Sequence, residues 1–419
     1  MSKVQVSSEI GTLRRVIVHR PDNGIDRISP KRAEELLFDD IVFLEKMQEE
    51  HDEFRAVLDC FLGEEHVLET GVLLLEALQS DPETKKELLD LIINFEELPN
   101  RDIQLLNKLD DLALRDLLIT GYCESEDCIL FDPIPNFIFT RDIAVTVNDH
   151  VVITKAAREA RFRENLLTRF IFFSHPIFTD LRKAGKLINL NDVNQFPPSR
   201  KGEQVSIEGG DMMCIHKDYL LIGCSERTTE YAIHLLRDRL FENNVINNIV
   251  QVNIPADRSF MHIDTIFTQV DKDLVVGYKP LIDEGISSNC IVYRKDGSAK
   301  KYNSITDFFR GEINLNMRFI FSGGGISPYQ EREQWTDGCN LVALKPGVAL
   351  IYDRNIKTIE AFQKEAGYQV IETTDFLQKV KSGQLNPSKV INTLICLRSG
   401  ELSRARGGSH CMTCPIERD

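Results

Sequence analysis

Apolar positions along the chain change their period twice. Residues 31–60 carry them at helical spacing after "SPKRAEELL", where Ser29 can cap and Pro30 suits a first turn, so a long amphipathic helix is expected there. Residues 70–121 keep the helical period in a Leu-, Glu-, Asp- and Lys-rich texture, as in "TKKELLDLIINFEEL". Short polar breaks at "SDPE", "LPNRD" and "LDD" divide this stretch into the helices of a small bundle. Beyond it the pattern alternates between strand and helix. Four hairpin-like segments recur: "DIAVTVNDHVVIT" from Asp142, "DMMCIHKDYLLIG" from Asp211, "DTIFTQVDKDLVVG" from Asp264 and "DGCNLVALKPGVALIYD" from Asp337. Helical stretches are expected at 156–172, 228–242, 304–311 and 357–366, and "LRRVIVHRP" at 13–21 reads as an opening strand.

A unit of hairpin, helix and strand is therefore repeated about five times, at uneven spacing. Units that bury their faces only against neighbours suggest a ring. A ring would bring equivalent strand ends, and with them Asp142, Asp211 and Asp264, to one central mouth. The plain alternative for each aspartate is a turn residue before a strand.

Composition narrows the picture. At 419 residues the chain can bury a large core, and 42% apolar with 27% charged residues is ordinary for a globular protein. A net charge of −15 argues against a nucleic-acid or anionic-membrane partner, because phosphate contacts need a basic surface. The first residues lack the basic and apolar regions of a signal peptide, and no stretch approaches membrane-spanning length. Ten scattered cysteines, mostly among apolar neighbours, read as free thiols in a reducing cytoplasm.

Short motifs carry the chemistry. "PNFIFTRD" holds Asn136, Phe139, Arg141 and Asp142; "IEGGD" holds Glu208 and Asp211. "SFMHIDT" holds His262 and Asp264, and "SERTT" holds Arg227. A second His-x-Asp, at His216, serves as a control. At about 3.3 Å per residue His216 lies roughly 16 Å along its strand from Asp211, away from the mouth. Near the end of the chain, "RARGGSHCMTCP" places Arg406, His410, Cys411 and Cys414 together. Cys411-x-x-Cys414 could bind zinc but lacks two further ligands at suitable spacing. As a redox pair it is preceded by glycines and followed by Pro415. It could also be a structural turn with inert thiols. The favoured reading is a nucleophile, approached over Gly407 and Gly408 with Arg406 as a nearby cation. A cysteine and a histidine among several carboxylates suit a cationic substrate, and a guanidinium is the planar group that two carboxylates grip bidentately.

Taken together, "EIGTLRRVIVHRP", "PNFIFTRD", "EGGD", "SERTT", "MHIDT", "QWTDGCN" and "RGGSHCMTCP" resemble, in order and spacing, the arginine deiminases of the guanidino-group modifying superfamily. The resemblance implies an α/β fold: a five-bladed ββαβ propeller with pseudo-fivefold symmetry, forming one catalytic domain over 1–419 with a helical insertion at 70–121. It implies hydrolysis of L-arginine to L-citrulline and ammonia, with no cofactor and no metal. By position it implies Cys411 as nucleophile and His262 as general acid and base, with Asp142 and Asp264 holding the guanidinium and Glu208 assisting. Arg161, Arg227 and Arg406 would meet the substrate carboxylate, with Arg158 and Arg163 as rivals of Arg161, while Asn136 and Phe139 line the pocket. Asp211 reads as a loop-ordering residue and Cys414 as structural. The alternatives are an agmatine or dimethylarginine hydrolase, an amidinotransferase, or a non-catalytic arginine-binding protein. The resemblance leaves a homo-oligomer open.

Overall fold

The computed structural model describes residues 3–38, 40–286 and 288–419. The fold is α/β. Among the described residues, five sheets of three to five strands repeat one motif: a strand, an antiparallel partner, and a strand parallel to that partner. Ala144–Val147 pairs antiparallel with His150–Ile153, which runs parallel to Leu187–Asn189. The pattern returns in Met212–His216, Tyr219–Cys224 and Asn248–Asn253, and again in Phe267–Asp271, Leu274–Gly277 and Arg318–Phe321. It returns in Val342–Lys345, Val348–Tyr352 and Thr393–Leu397. The fifth copy is shared by distant parts of the chain: Cys414–Arg418 is antiparallel to Leu13–Val18, which is parallel to Val67–Glu69. First strands of neighbouring copies pack together, Cys414–Arg418 on Ala144–Val147 and Phe267–Asp271 on Val342–Lys345.

The strands are apolar because both sheet faces are covered. Val151, Val152 and Ile153 are fully buried, as are Leu220, Leu221 and Ile222. Such near-continuous apolar runs are what a strand covered on both sides requires. Helices Phe162–Ser174, Glu230–Glu242 and Ile356–Ala366 connect second and third strands. The expected helix at 156–172 therefore begins late, after a 3-10 turn at Glu159–Arg161. That at 304–311 shortens to Ile305–Phe308, followed by a π turn.

Residues 70–120 form four helices, Thr70–Ser80, Pro82–Phe95, Asn100–Leu106 and Asp111–Thr120. Asp81 and Asp110 cap the second and fourth by accepting from Thr84 and Ala113 N–H. Gly121 ends the last helix at φ +71°, and a Cβ there would lie 2.0 Å from the Phe131 carbonyl oxygen. Leu74, Ala77, Ile92, Leu117 and Leu118 bury the facing stripes.

The expected helix at 31–60 needs correction. Among the described residues of that stretch only Leu44–Leu62 is α-helical, and 30–37 is a set of turns. Leu37 turns to φ +58°, and the Leu36 carbonyl accepts from Asn136 Nδ2 at 2.7 Å instead of from a following helical turn. Leu36 and Phe38 are pulled into the core, and Leu37 is left against the central cavity.

Candidate active site

The aspartates that open the repeats sit in tight turns just before their strands, and the packing of neighbouring sheets brings turns of this kind together. Asp142 follows the 3-10 turn Pro135–Ile138. Glu208 precedes and Asp211 closes the turn Gly209–Asp211, and His262 precedes the turn Ile263–Thr265. The Glu208–Asp211 turn must lie directly on its neighbours. A Cβ on Gly209 would stand 1.9 Å from the Arg141 carbonyl oxygen, and one on Gly210 would stand 2.5 Å from His262 Nδ1. Arg141 itself is buried, bonded to Glu9 at 2.7 Å and to the Met212 carbonyl, and so pins the turn from behind.

One small cavity of about 30 Å³ is lined by nine of the ten residues expected from the sequence. They are Asn136, Phe139, Asp142, Arg161, Glu208, Arg227, His262, Arg406 and Cys411. The tenth, Asp264, lies immediately behind Cys411: its Oδ2 accepts from Sγ at 3.4 Å. The cavity adjoins an outer one of about 880 Å³ that shares Leu37 and Arg227 with it.

His262 Nε2 bonds Glu208 Oε2 at 2.9 Å, and its Nδ1 is 3.7 Å from Asp142 Oδ1. Burial works against the imidazolium. The Asp142 charge and the Glu208 hydrogen bond outweigh it and raise the His262 pKa to about 10. Glu208 is held below the usual carboxylate range: burial opposes this, but His262 and Arg161 prevail. Cys411 moves the other way. Burial first, then the charges of Asp264, Asp142 and Asp337, push its thiol well above its ordinary value. Asp264 is completely buried and carries His410 Nδ1 on Oδ2 at 2.9 Å, while Oδ1 has no hydrogen-bond partner among the described residues. His410 Nε2 reaches Glu9 at 3.2 Å.

The arginines are not equivalent. Arg161 is fully engaged by carboxylates, at 2.7 Å from Asp142, 3.3 Å from Glu208 and 2.8 Å from Glu164. Its guanidinium thus occupies the acidic wall rather than standing free for a carboxylate. Of its rivals, Arg163 bonds Glu96 and the Leu118 carbonyl and stacks on Phe131, while Arg158 is exposed at the outer cavity. Arg227 lies near Glu226 at 3.2 Å and Glu208 at 3.8 Å. Arg406 adopts φ +62°, stacks 3.3 Å over the Trp335 ring, and leaves Nη1 buried without a hydrogen-bond partner.

Asp211 accepts from Ile263 N–H at 3.0 Å and Ser225 Oγ at 2.6 Å, so it ties together the turns that carry His262 and Arg227. Cys414 donates to the Ala144 carbonyl at 3.1 Å inside the core. His216 is about half exposed, at the far end of its strand. Asn340, Glu9 and Trp335 were not anticipated. Asn340 and Trp335 both stand in the quoted motif "QWTDGCN", and Glu9 opens the quoted motif "EIGTLRRVIVHRP", but no residue type near it marks it as a partner of the site.

Oxygen and nitrogen atoms of Asp142, Glu208 and His262 lie within 4.8 Å of one another, a spacing that could hold a metal ion. Arg161 Nη1 already meets both carboxylates and a protonated His262 has no lone pair to offer, so this donor set suits a metal ion poorly.

A family model described as "Arginine deiminase" matches residues 34–122 and 114–418. A relative named arginine deiminase, from Mycoplasma capricolum subsp. capricolum, is 30% identical over 435 residues, covering 100% of this chain and 98% of that protein. The solved N-terminal domain of ArgZ, covalently bound to a reaction intermediate, aligns with TM-score 0.50 at 13% identity, covering 96% of this chain and 98% of that one. A dimethylarginine dimethylaminohydrolase variant from Pseudomonas aeruginosa, complexed with citrulline, aligns with TM-score 0.50 at 12% identity over 96% of this chain and 99% of that one. At these identities the two structures bear on the fold alone.

Proposed function

The chain belongs to the arginine deiminase family and is an enzyme acting on arginine's guanidino group; from that premise we propose that it hydrolyses free L-arginine to L-citrulline and ammonia through a covalent intermediate on Cys411. The observation that carries this reading is the meeting of Cys411, His262, Asp142 and Glu208 in one buried cavity, with Asp264 against the sulfur. Two further atoms support it. Asp264 Oδ1 is a buried acceptor without a donor, and Arg406 Nη1 a buried donor without an acceptor. A zwitterion with a guanidinium at one end and a carboxylate at the other satisfies both.

In this reading Asp264 and Asp142 fix the guanidinium, a resonance-stabilised and poor electrophile, for attack. Arg161 shares or yields the Asp142 carboxylate as substrate arrives. A guanidinium about 4 Å from sulfur contributes about 4 kcal/mol at an effective dielectric of ~20. That is about three pKa units toward thiolate, against the carboxylates that hold the free thiol up. As the guanidinium binds, the thiol releases its proton to solvent, and the thiolate sulfur adds to the guanidino carbon. His262, protonated at neutral pH, gives its proton to the departing ammonia. The neutral imidazole then takes a proton from water, which adds to the thiouronium carbon, and collapse returns the electron pair to sulfur and releases citrulline. No step calls on a metal or cofactor.

We further infer that the five repeated sheets are blades of a propeller with pseudo-fivefold symmetry. In this arrangement 1–419 is one catalytic domain, with 70–121 inserted in it. Among the described residues no helix is long and apolar enough to cross a membrane. The net charge of −15 and ten free cysteines support a cytoplasmic enzyme without a nucleic-acid partner. The test is direct: purified protein with L-arginine should form citrulline and ammonia in equal amounts. Transfer of the amidino group to an added amine, or a preference for agmatine or dimethylarginine, would replace this reading by one of its relatives.

A further inference from the structure

We propose that Asn340 is a catalytic residue of this site: its side-chain amide donates to the Cys411 sulfur and holds it as thiolate, both when sulfur attacks and when it leaves. The inference rests on Cys411 being the nucleophile proposed above.

Asn340 is fully buried. Its Nδ2 donates to Cys411 Sγ at 3.1 Å and to the Asp264 carbonyl at 3.0 Å. Its Oδ1 accepts the Cys411 backbone N–H at 3.1 Å. Chemistry fixes the orientation of this amide. A backbone N–H needs an acceptor, so Oδ1 faces it, and both Nδ2 hydrogens then find their two acceptors. One side chain thus ties together the backbone and sulfur of the nucleophile and the backbone of Asp264.

The turn carrying the nucleophile is shaped around this amide. A Cβ on Gly408 would lie 2.6 Å from both the backbone oxygen and Oδ1 of Asn340, so glycine there lets the two segments close. Ser409 Oγ donates to Val342's neighbour strand at the Leu350 carbonyl and accepts from Val342 N–H, which locks the segment containing Asn340 beside the turn.

The titratable and charged groups around the sulfur are the carboxylates Asp264, Asp142 and Asp337, with His410 behind Asp264, Tyr352 nearby, and His262, Glu208, Arg161, Arg227 and Arg406 lining the same cavity. Asn340 is the nitrogen donor bonded to Sγ among the described residues. A thiol sulfur is a weak acceptor, whereas a thiolate takes a charge-assisted bond about twice as strong. The Asn340 bond therefore favours the anion over the thiol. In the first half-reaction the S–C bond forms as His262 protonates the leaving nitrogen. In the second, water adds, the S–C bond breaks and its electron pair returns to sulfur. The same N–H meets the anion in both.

The experiment uses full-length Asn340→Ala and Asn340→Asp, the second retaining the Oδ1 acceptor for Cys411 N–H should the first fail to fold. The pH dependence of Cys411 alkylation by iodoacetamide is read by peptide mass spectrometry, which separates it from Cys414 and needs no turnover. The expected result is a midpoint raised by about one unit, and kcat lowered by roughly ten- to a hundredfold with KM within about threefold. An unchanged alkylation midpoint in a folded variant overturns the proposal. So does a loss that falls on KM with kcat unchanged. If the unaltered protein makes no citrulline while the midpoint still shifts, the functional reading fails and the Asn340–sulfur bond stands.

Discussion

The two walls of the central cavity differ in how completely their charges are matched. On one wall Asp142, Glu208, Arg161 and His262 form a closed set in which each carboxylate meets a cation. On the other, Cys411 and Arg406 line the cavity, Asp264 lies behind the sulfur and Asp337 lies outside the lining; Asp264 Oδ1, Asp337 Oδ2 and Arg406 Nη1 are buried without hydrogen-bond partners among the described residues, and the Cys411 thiol is pushed up. Burial also raises the Asp337 pKa to about 7, against the pull of Arg406. Each unmatched buried polar atom costs about 1–3 kcal/mol. The contrast assigns a division of labour. In the proposed reaction the unmatched wall carries a cost that a zwitterionic substrate would relieve, which would tie substrate binding to the chemistry there.

The largest expected effect breaks the unmatched wall at its centre. Cys411→Ala should lose at least ~10⁴-fold in kcat, as removal of a nucleophile does, while arginine binding measured by calorimetry survives. Cys414→Ala should keep at least a tenth of the activity, and the reverse pattern would reassign the nucleophile. Next in size is substrate truncation. If Arg406 and Arg227 meet the substrate carboxylate as proposed, agmatine would leave Arg406 Nη1 without an acceptor and remove the carboxylate from Arg227, and a broken buried pair costs about 3–5 kcal/mol. That is roughly a hundred- to several-thousand-fold in kcat/KM. Turnover of agmatine within about tenfold of arginine would make Arg406 and Arg227 structural cations.

Replacing one carboxylate on either wall comes third. Asp264→Asn and Asp142→Asn should each lose about 2–5 kcal/mol of transition-state stabilisation, roughly thirty- to several-thousand-fold in kcat/KM. If Asp142→Asn keeps its kcat/KM and loses only melting temperature, the matched wall is scaffold alone. The smallest effect is on stability. His262 has its pKa raised in the folded chain to about 10 from 6.5. It therefore stabilises the fold fully below about pH 6.5, and that contribution is lost as pH rises toward 10. His262→Gln should flatten the fall in melting temperature between pH 7 and 10. His216→Ala, on an exposed strand end, should leave both the melting profile and the activity nearly unchanged.

The repeating hairpins were legible because period-two runs bounded by polar turns need no tertiary information. Helices such as Glu230–Glu242 were legible for the same reason. Residues 31–43 misled because their helical period is real, but the Leu36 carbonyl is claimed by Asn136, a hundred residues away. The reactive cluster could be read from motifs because each lies in a turn at a strand start. Two of its parts could not. Arg161 looked free in sequence and is committed to three carboxylates. Glu9 reaches His410 and Arg141 only because the first and last segments share one sheet.

Trp335 is the single tryptophan of the chain, partly exposed and stacked against Arg406. An indole in contact with a guanidinium emits in a polarised, electron-withdrawing setting, and any movement of that cation alters its brightness or colour. The protein thus carries a built-in optical reporter at the rim of its cavity, with no competing indole signal to subtract. Stopped-flow emission can time the arrival of a ligand at Arg406 separately from the later breaking of bonds at sulfur, without a dye or label.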